Sequence, residues 1–144
     1  MTNLQNNKTK VLIAYCYNKP FGPYSLPVKF QNILCENYTR KLNLIFGPGI
    51  GEPIFSKNFF ALKSMIKDSK KNSGIVMLSL YMLPAVKKKR LEIFNLALNS
   101  YTELHFVFEN ISLKNKKDIS KIESIFFFKK FTKKSRSVFN NLKK

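Results

Sequence analysis

Few side chains in this sequence have the chemistry that acid–base catalysis needs. His105 is the only histidine, and eight acidic residues stand against 26 lysines and arginines. Glu52 and His105 are therefore the one acid–base pair that the sequence offers as catalytic candidates. Each has a simpler interpretation: Glu52 neutralises nearby lysines, and His105 is a hydrogen-bonded core residue, which we favour. No Ser-His-Asp triad can be assembled, because Asp68 and Asp118 lie in lysine-rich helical surfaces.

The sequence lacks the common motifs for binding metals and phosphates. A single histidine excludes a His-based cluster, so we expect no metal and no cofactor. Gly47-Pro48-Gly49-Ile50-Gly51 is one residue short of a G-x-G-x-x-G motif, and no Lys-Ser/Thr pair follows it as in a Walker A loop. We interpret this run as a plain turn. Cys16 and Cys35 form no CxxC motif, and we expect reduced, buried thiols.

Short apolar runs alternate with helical patterns along the chain. The runs predict strands at 10–17, 43–46, 74–80 and 103–108, and the patterns predict helices at about 25–42, 57–70, 84–100 and from 115 onward. This alternation predicts an α/β three-layer sandwich with helices on both faces of a parallel sheet. Right-handed crossovers favour four strands in the order 2-1-3-4. The first helix is expected to bury Phe30, Ile33 and Leu42, with Leu34 and Tyr38.

The predicted strand order also predicts a binding site. The winding of the chain reverses between the first and third strands, and ligands of such sheets bind at the carboxyl ends of strands beside that reversal. Asn18 and Lys19 follow the first strand, and Ser79 and Tyr81 follow the third. These four residues form the predicted ligand-binding site. Lys19 supplies positive charge and the other three supply hydrogen bonds, which suits an anionic ligand.

A net charge of +18 is the outlier of the composition. Such a charge attracts polyanions without sequence preference, although arginine, which suits base recognition, is rare here. We interpret Lys87-Lys88-Lys89-Arg90 as a solvated helix face. The start of the chain is too polar for a signal peptide, and no apolar run approaches the roughly 18 residues of a membrane span. We therefore expect a cytoplasmic protein without a transmembrane segment.

We divide the chain into a polar N-terminal extension (1–9), a single α/β domain (10–128) and a basic C-terminal tail (129–144). Basic and aromatic residues interleave at the end of the chain, with no acid among them. Three interpretations compete: a solvated cationic end, a membrane-surface segment that inserts Phe127, Phe131 and Phe139, and a nucleic-acid contact. We favour the first, and the tail would contact polyanions non-specifically.

The order of elements resembles the catalytic domain of serine recombinases (resolvases) over about residues 10–110. That family ends its first strand with Tyr-x-Arg-x-Ser, whose serine attacks DNA phosphate; this chain has Tyr15-Cys16-Tyr17-Asn18-Lys19. The family carries Asp-Arg-Leu-x-Arg after its third strand; this chain has Tyr81-Met82-Leu83-Pro84-Ala85. The resemblance implies a resolvase- or flavodoxin-like fold. Recombinase activity is rejected, because the nucleophile and the arginines are replaced.

Three further runs, with a continuation through residues 118–126, resemble the sporadic carbohydrate cluster protein family over roughly residues 11–128. They are Gly74-Ile75-Val76 with Ser79-Leu80-Tyr81-Met82-Leu83-Pro84, Lys89-Arg90-Leu91-Glu92-Ile93-Phe94, and Glu103-Leu104-His105-Phe106-Val107-Phe108-Glu109-Asn110. The resemblance implies a small cytoplasmic protein of a pathway that makes a cell-surface carbohydrate. It implies no established reaction and does not decide whether the protein is an enzyme.

We therefore expect a protein of surface-polysaccharide biosynthesis that binds an anionic sugar or nucleotide-sugar between the first and third strands. The alternative is a non-catalytic nucleic-acid-binding module of recombinase-like fold that uses the basic tail. The two free edges of the sheet also leave room for a homodimer.

Overall fold

Strands and helices alternate along the chain. The computed structural model describes residues 9–53, 58–69 and 73–142. The elements in chain order are β1 (Val11–Cys16), α1 (Val28–Lys41), β2 (Ile45–Gly51), α2 (Phe60–Asp68), β3 (Ser73–Met77), a short 3-10 helix (Leu80–Met82), α3 (Lys87–Asn99), β4 (Glu103–Phe106), β5 (Ile111–Leu113) and α4 (Lys116–Leu142).

The sheet has the order β2-β1-β3-β4-β5. The first four strands are parallel, as predicted, and β5 runs antiparallel to β4. The prediction of four strands was therefore wrong by one. β4 ends at Phe106, and residues 107–110 form a turn that closes with Asn110 at φ 52°. Asparagine tolerates this left-handed conformation, and the three-residue run that follows is too short to show a strand period.

Helices cover both faces of the sheet. α1 packs against β1, β2 and β3, whereas α2 packs against α3. Right-handed crossovers place α1 on one face and α2 and α3 on the other, because the chain moves from β1 to β2 in one direction and from β2 towards β4 in the other. Every residue of β3 is buried as a result. Such burial on both faces is typical of a central parallel strand.

Polar residues form much of the buried face of α1. Phe30, Ile33 and Leu42 are exposed, contrary to expectation, and Gln31 is fully buried. The Gln31 amide donates to the carbonyl oxygens of Tyr17 and Leu26 and accepts from the Tyr17 backbone N–H. Gln31 thus pairs backbone groups beyond the end of β1, which otherwise would be buried without partners.

The Gly47–Gly51 run belongs to β2, so its interpretation as a turn was wrong. β2 pairs with β1 along this run, with a shift of register between Ile13 and Tyr15. A Cβ atom on Gly49 would lie 2.7 Å from the carbonyl oxygen of Ala14. Glycine is therefore required for close approach of the two backbones rather than for a change of chain direction.

The last helix, α4, is long and begins with a side-chain cap. The Asn115 side chain accepts from the Lys117 N–H at 3.0 Å, and the Asp118 carboxylate accepts from the N–H groups of Lys114 and Asn115. These contacts resemble a capping box, with Asn115 as the N-cap and Asp118 three residues later. α4 continues to Leu142, so the predicted boundary between residues 128 and 129 falls inside the helix.

A buried ion pair holds α4 against α3. Arg90 is 5% exposed, so the solvated-face interpretation was right for the three lysines and wrong for this arginine. Its guanidinium binds both carboxylate oxygens of Glu123 at 2.7 and 2.8 Å. It also donates to the carbonyl oxygens of Pro84 and Ala85 and lies 3.9 Å from the Phe126 ring centre. All three guanidinium nitrogens therefore donate hydrogen bonds, which a lysine ammonium could not reproduce in this geometry.

Within the described ranges, no helix combines the length and the apolar content that crossing a bilayer would require.

Candidate ligand-binding site

The carboxyl ends of β1 and β3 lie side by side, as the predicted site requires. The two strands are parallel neighbours, paired from Val11 with Ser73 to Ala14 with Val76. Beyond the strands, the Tyr17 hydroxyl donates to the carbonyl oxygen of Met82 at 2.9 Å. The segments that follow the two strands are therefore joined directly.

A groove of about 630 Å³ opens beside these strand ends. Three segments form its walls: the loop after β1, the 3-10 helix after β3, and α4. The lining residues are Gly22, Pro23, Tyr24, Tyr81, Ile125, Phe128, Lys129, Thr132 and Lys133. The groove is thus at the predicted end of the sheet, and α4 adds cations to it.

The aromatic wall of the groove depends on a tight turn after β1. Phe21 and Tyr24 exchange backbone hydrogen bonds of 3.0 and 3.1 Å. Gly22, inside this turn, has a φ of 56°, and a Cβ atom there would overlap the ring of Tyr81. Tyr24 meets Tyr81 edge to face, with 6.2 Å between ring centres. Only glycine allows the turn to lie flat on the Tyr81 ring.

Behind this wall, the carboxylate of Glu109 binds groups that could otherwise bind an anion. Glu109 accepts from the Ser79 hydroxyl at 2.7 Å and from the Leu80 N–H at 3.2 Å. The Lys129 ammonium lies 2.5 Å from the same carboxylate and 3.9 Å from the centre of the Tyr81 ring. A hydroxyl, a backbone N–H and an ammonium that converge in this way form a binding arrangement for one anionic group.

The four predicted ligand-binding residues separate into two places. Tyr81 lines the groove, and Ser79 is fully buried behind it with its hydroxyl on Glu109. Asn18 and Lys19 are exposed and do not line the groove. The Asn18 amide lies near Gly51 at the end of β2, on the far side of β1 from β3. Lys19 lies over the Tyr17 ring, 5.4 Å from its centre.

Glu52 binds the start of α2. It is 5% exposed, accepts from the Tyr15 hydroxyl at 2.8 Å, and accepts from the N–H groups of Ala61 and Leu62 at 3.2 and 3.4 Å. These N–H groups have no partner within the first turn of the helix, so Glu52 satisfies them. Burial, with smaller effects from Tyr17 and Glu52, raises the pKa of Tyr15 far above its ordinary value and keeps the phenol neutral.

His105 lies in a different network, on the α1 side of the sheet. Its Nδ1 is 3.0 Å from the Tyr38 hydroxyl, and its Nε2 is 2.8 Å from the Glu103 carboxylate. The His105 hydrogen bond and the nearby Lys10 lower the pKa of Glu103 to about 2. Since Glu52 contacts α2 and His105 contacts α1, the sheet separates the two candidate acid–base residues.

Neither cysteine has the environment of a nucleophile. Cys16 and Cys35 are buried free thiols, as expected, and burial raises the pKa of Cys16 to about 11. Among the residues that the structure describes, no three His, Cys, Asp or Glu side chains converge as a metal site would require.

Comparison with solved structures decides the fold family. The structure is similar to the N-terminal catalytic domain of TP901-1 integrase, with a TM-score of 0.61 and 12% identity over 85% of this chain and 98% of that one. It is also similar to a resolvase family site-specific recombinase from Streptococcus pneumoniae, with a TM-score of 0.59 and 13% identity over 93% and 97%. The chain has the fold of serine recombinase catalytic domains. No family model and no curated protein matches the sequence.

The recombinase-like fold confirms the more distant of the two resemblances. At the serine-nucleophile position inferred from the sequence stands Lys19, an exposed ammonium; at the arginine position stands Tyr17, whose buried hydroxyl binds Met82. Lys19 has no hydroxyl, and the buried Tyr17 hydroxyl is bonded to Met82 and is no guanidinium. The likeness to these structures is one of fold.

Several groove residues were missed by the sequence analysis. Glu109 lies in the run that resembles the carbohydrate family but belongs to no chemical motif, and Tyr24 follows Gly22-Pro23, which has no binding motif either. Lys129 and Lys133 were assigned to the tail. A signal for them existed: Lys129 follows the buried-face residue Ile125 by four positions, which places both on one side of a helix.

Proposed function

We propose that the groove binds an anionic sugar or nucleotide-sugar, and that the protein acts in cytoplasmic steps of surface-carbohydrate biosynthesis. One observation carries the proposal: a groove with aromatic walls and lysines lies at the carboxyl ends of β1 and β3. Its volume of about 630 Å³ is within the usual range for small-molecule sites. Parallel sheets of this winding bind their ligands at that end.

The lining suits both halves of a nucleotide-sugar. The rings of Tyr24 and Phe128 and the edge of the Tyr81 ring offer surfaces against which a base or a sugar ring can pack. Lys133 brings a cation to the rim, beside Lys129 on the preceding turn of α4. A phosphate between these two lysines would compete with Glu109 for the Lys129 ammonium.

The pathway assignment rests on the sporadic carbohydrate cluster resemblance of the sequence. We assign no reaction and no catalytic residue, because Glu52 and His105 are buried in separate hydrogen-bond networks away from the groove lining. The predicted ligand contacts of Asn18 and Lys19 are retained as a separate hypothesis. They require a ligand that reaches across the end of β1 towards β2.

Titration calorimetry and thermal shift against UDP-, GDP- and CMP-sugars, with the neutral sugars as references, test this function. We expect charged members of the panel to raise the unfolding temperature. Lys133→Ala should weaken binding about tenfold, which is the loss of about 1.4 kcal/mol of a charged contact. Lys130→Ala is the matched control, because Lys130 lies on the same helix outside the groove lining.

Two results would count against this site. If no member of the panel changes the unfolding temperature, the groove does not bind nucleotide-sugars. If Lys19→Ala weakens binding and Lys133→Ala does not, the ligand lies at the β1–β2 end instead of in the groove.

The second candidate is a non-catalytic nucleic-acid-binding module. The recombinase-like fold and the basic residues of α4 favour it. Such binding would weaken steeply as salt rises, because phosphate contacts release counterions. Fluorescence anisotropy with labelled DNA over a salt series tests this candidate, with Lys130→Gln/Lys134→Gln as the variant that should reduce the salt slope.

A further inference from the structure

α4 carries two apolar stripes on opposite sides. The first packs on the domain and consists of Ile119, Ile122, Ile125 and Phe126. The second consists of Phe127, Phe131, Val138 and Leu142, which we call the outer stripe. At about 100° per residue, the outer stripe spans about 60° of the helix surface and its centre lies about 170° from that of the first.

The outer stripe is exposed along its whole length. Phe127 is 68% exposed, Phe131 is 64% exposed, Val138 is 51% exposed and Leu142 is 77% exposed. Phe127 and Leu142 are the ends of the stripe and are fifteen residue steps apart, so the stripe is about 22 Å long at about 1.5 Å per residue. Four exposed apolar side chains on one face of a helix are a mark of an interaction site, whereas single exposed apolar residues are ordinary.

Basic residues are frequent in the sequence of α4 from Lys129 onward. No acidic residue follows Glu123, while seven basic residues do: Lys129, Lys130, Lys133, Lys134, Arg136, Lys143 and Lys144. Lys130 and Lys134 are exposed and lie at one border of the stripe, by their spacing from Phe127 and Phe131. Lys129 points the other way, towards Glu109.

This charge decides between the possible occupants of the stripe. A second copy would place cation against cation, since the charged residues described at the border of the stripe, Lys130 and Lys134, are both basic. A nucleic acid would supply anions but gains little from Val138 and Leu142, which have no ring to stack on a base. An anionic bilayer surface supplies both an apolar phase and counter-charge.

We propose that α4 docks flat on an anionic membrane surface through the outer stripe. The phenylalanines, Val138 and Leu142 enter the boundary between headgroups and acyl chains, and Lys130 and Lys134 lie at the level of the acidic headgroups. The groove-lining residues of α4 lie on another side of the helix, so a docked protein keeps its groove open to the aqueous phase. This inference is independent of the ligand that the groove binds.

Vesicle flotation with the full chain tests the proposal. The two vesicle types are phosphatidylcholine alone and phosphatidylcholine mixed with phosphatidylglycerol. We expect binding to the mixed vesicles only, weakening as salt rises. Phe127→Ser/Phe131→Ser should weaken it about tenfold or more at unchanged charge, whereas Phe30→Ser, which removes an exposed phenylalanine from α1, should not.

Circular dichroism of each variant must match the original chain before its binding is compared. If Phe127→Ser/Phe131→Ser floats with the mixed vesicles as well as the original chain, attraction is purely ionic and the proposal is overturned. It is also overturned if labelled duplex DNA binding requires the same two phenylalanines. Light scattering that shows a dimer for the original chain and a monomer for this variant would instead assign the stripe to a second copy.

Discussion

Gly22 is the single residue on which the shape of the groove depends most. Its positive φ and its contact with the Tyr81 ring leave no room for a side chain. A left-handed conformation costs a non-glycine residue about 1–2 kcal/mol, and the overlap with the ring adds to this cost.

Gly22→Ala should therefore lower the free energy of unfolding by about 2–3 kcal/mol, measured by urea denaturation, and should weaken groove binding. Gly51→Ala is the matched control. A Cβ atom there would lie 3.6 Å from its nearest neighbour, so its effect should stay within about 0.5 kcal/mol. Equal stabilities of the two variants would refute this role of Gly22.

Ionised Glu103 stabilises the folded protein, so the free energy of unfolding should fall as the pH becomes acidic. Its pKa falls from 4.5 to about 2 in the folded protein, through the hydrogen bond from His105 and the nearby Lys10. A depressed carboxyl pKa stabilises the fold at pH values above the unfolded pKa, and this contribution disappears as the pH falls through the folded pKa. The pH window is therefore from about 4.5 down to about 2.

Glu103→Gln should destabilise the protein by about 1–2 kcal/mol at pH 7, after allowance for solvent screening, and by progressively less below pH 4.5. Urea denaturation at a series of pH values measures the difference from the original chain. Glu92→Gln replaces an exposed carboxylate of α3 and should follow the original curve at every pH. A difference for Glu103→Gln that stays constant down to pH 2 would contradict the assignment.

At the scale of elements, Arg90 is the connection that positions α4 over the groove. The groove lies between α4 and the loops after β1 and β3, so any movement of α4 opens one wall of it. The ion pair with Glu123 is buried, and breaking one partner of such a pair leaves an uncompensated charge.

Arg90→Lys should destabilise the protein nearly as much as Arg90→Ala, by about 3 kcal/mol, because an ammonium cannot replace the two-pronged contact with Glu123 and the contacts with two carbonyl groups. Urea denaturation measures both variants. Lys88→Ala is the control: Lys88 is an exposed residue of the same helix, so its replacement should be near neutral. Full stability of Arg90→Lys would show that charge alone is sufficient.

The sequence was sufficient to predict the central elements and their order. β1 and β3 were found because residues buried on both faces form continuous apolar runs. The same reasoning failed at the periphery. Gly47 and Gly49 suggested a turn because a close backbone approach cannot be distinguished from a chain reversal without coordinates.

The sequence predicted the end of the sheet at which the groove lies, but not most of the residues that line it. Tyr81 was found because strand ends are predictable, whereas Lys129 and Glu109 meet there only through the path of α4. That path was ended too early in the prediction, although the chain has no glycine or proline after Pro84 to stop a helix. Lysine and phenylalanine alternate in short groups there, so the apolar residues show no clear helical spacing in the last turns.

At the scale of the whole molecule, unbalanced positive charge opposes folding. Glu36, Glu103, Glu109 and Glu123 each pair with a lysine or an arginine, yet the formal charge remains +18. Self-repulsion of this size destabilises the compact state and is screened by salt. Lys87, Lys88 and Lys89 add to it at the start of α3, where the helix dipole also disfavours cations.

Lys87→Gln/Lys88→Gln/Lys89→Gln lowers the formal charge from +18 to +15 and should raise the unfolding temperature by a few degrees at low salt. The original chain should gain stability as salt is added, until the two curves converge. Calorimetry over a salt series measures both. Lys87→Arg/Lys88→Arg/Lys89→Arg keeps the charge and should unfold at the same temperature as the original chain. A higher unfolding temperature for this variant would contradict the electrostatic cause.

The strand order leaves β2 and β5 as the two borders of the sheet, and each is a poor template for further growth. Pro48 within β2 has no amide hydrogen, and the shifted register beside it interrupts the regular ladder of backbone groups. β5 offers only three residues. Strand exchange and fibre formation between copies are therefore discouraged at both borders, which matters for a chain rich in phenylalanine during synthesis at high concentration.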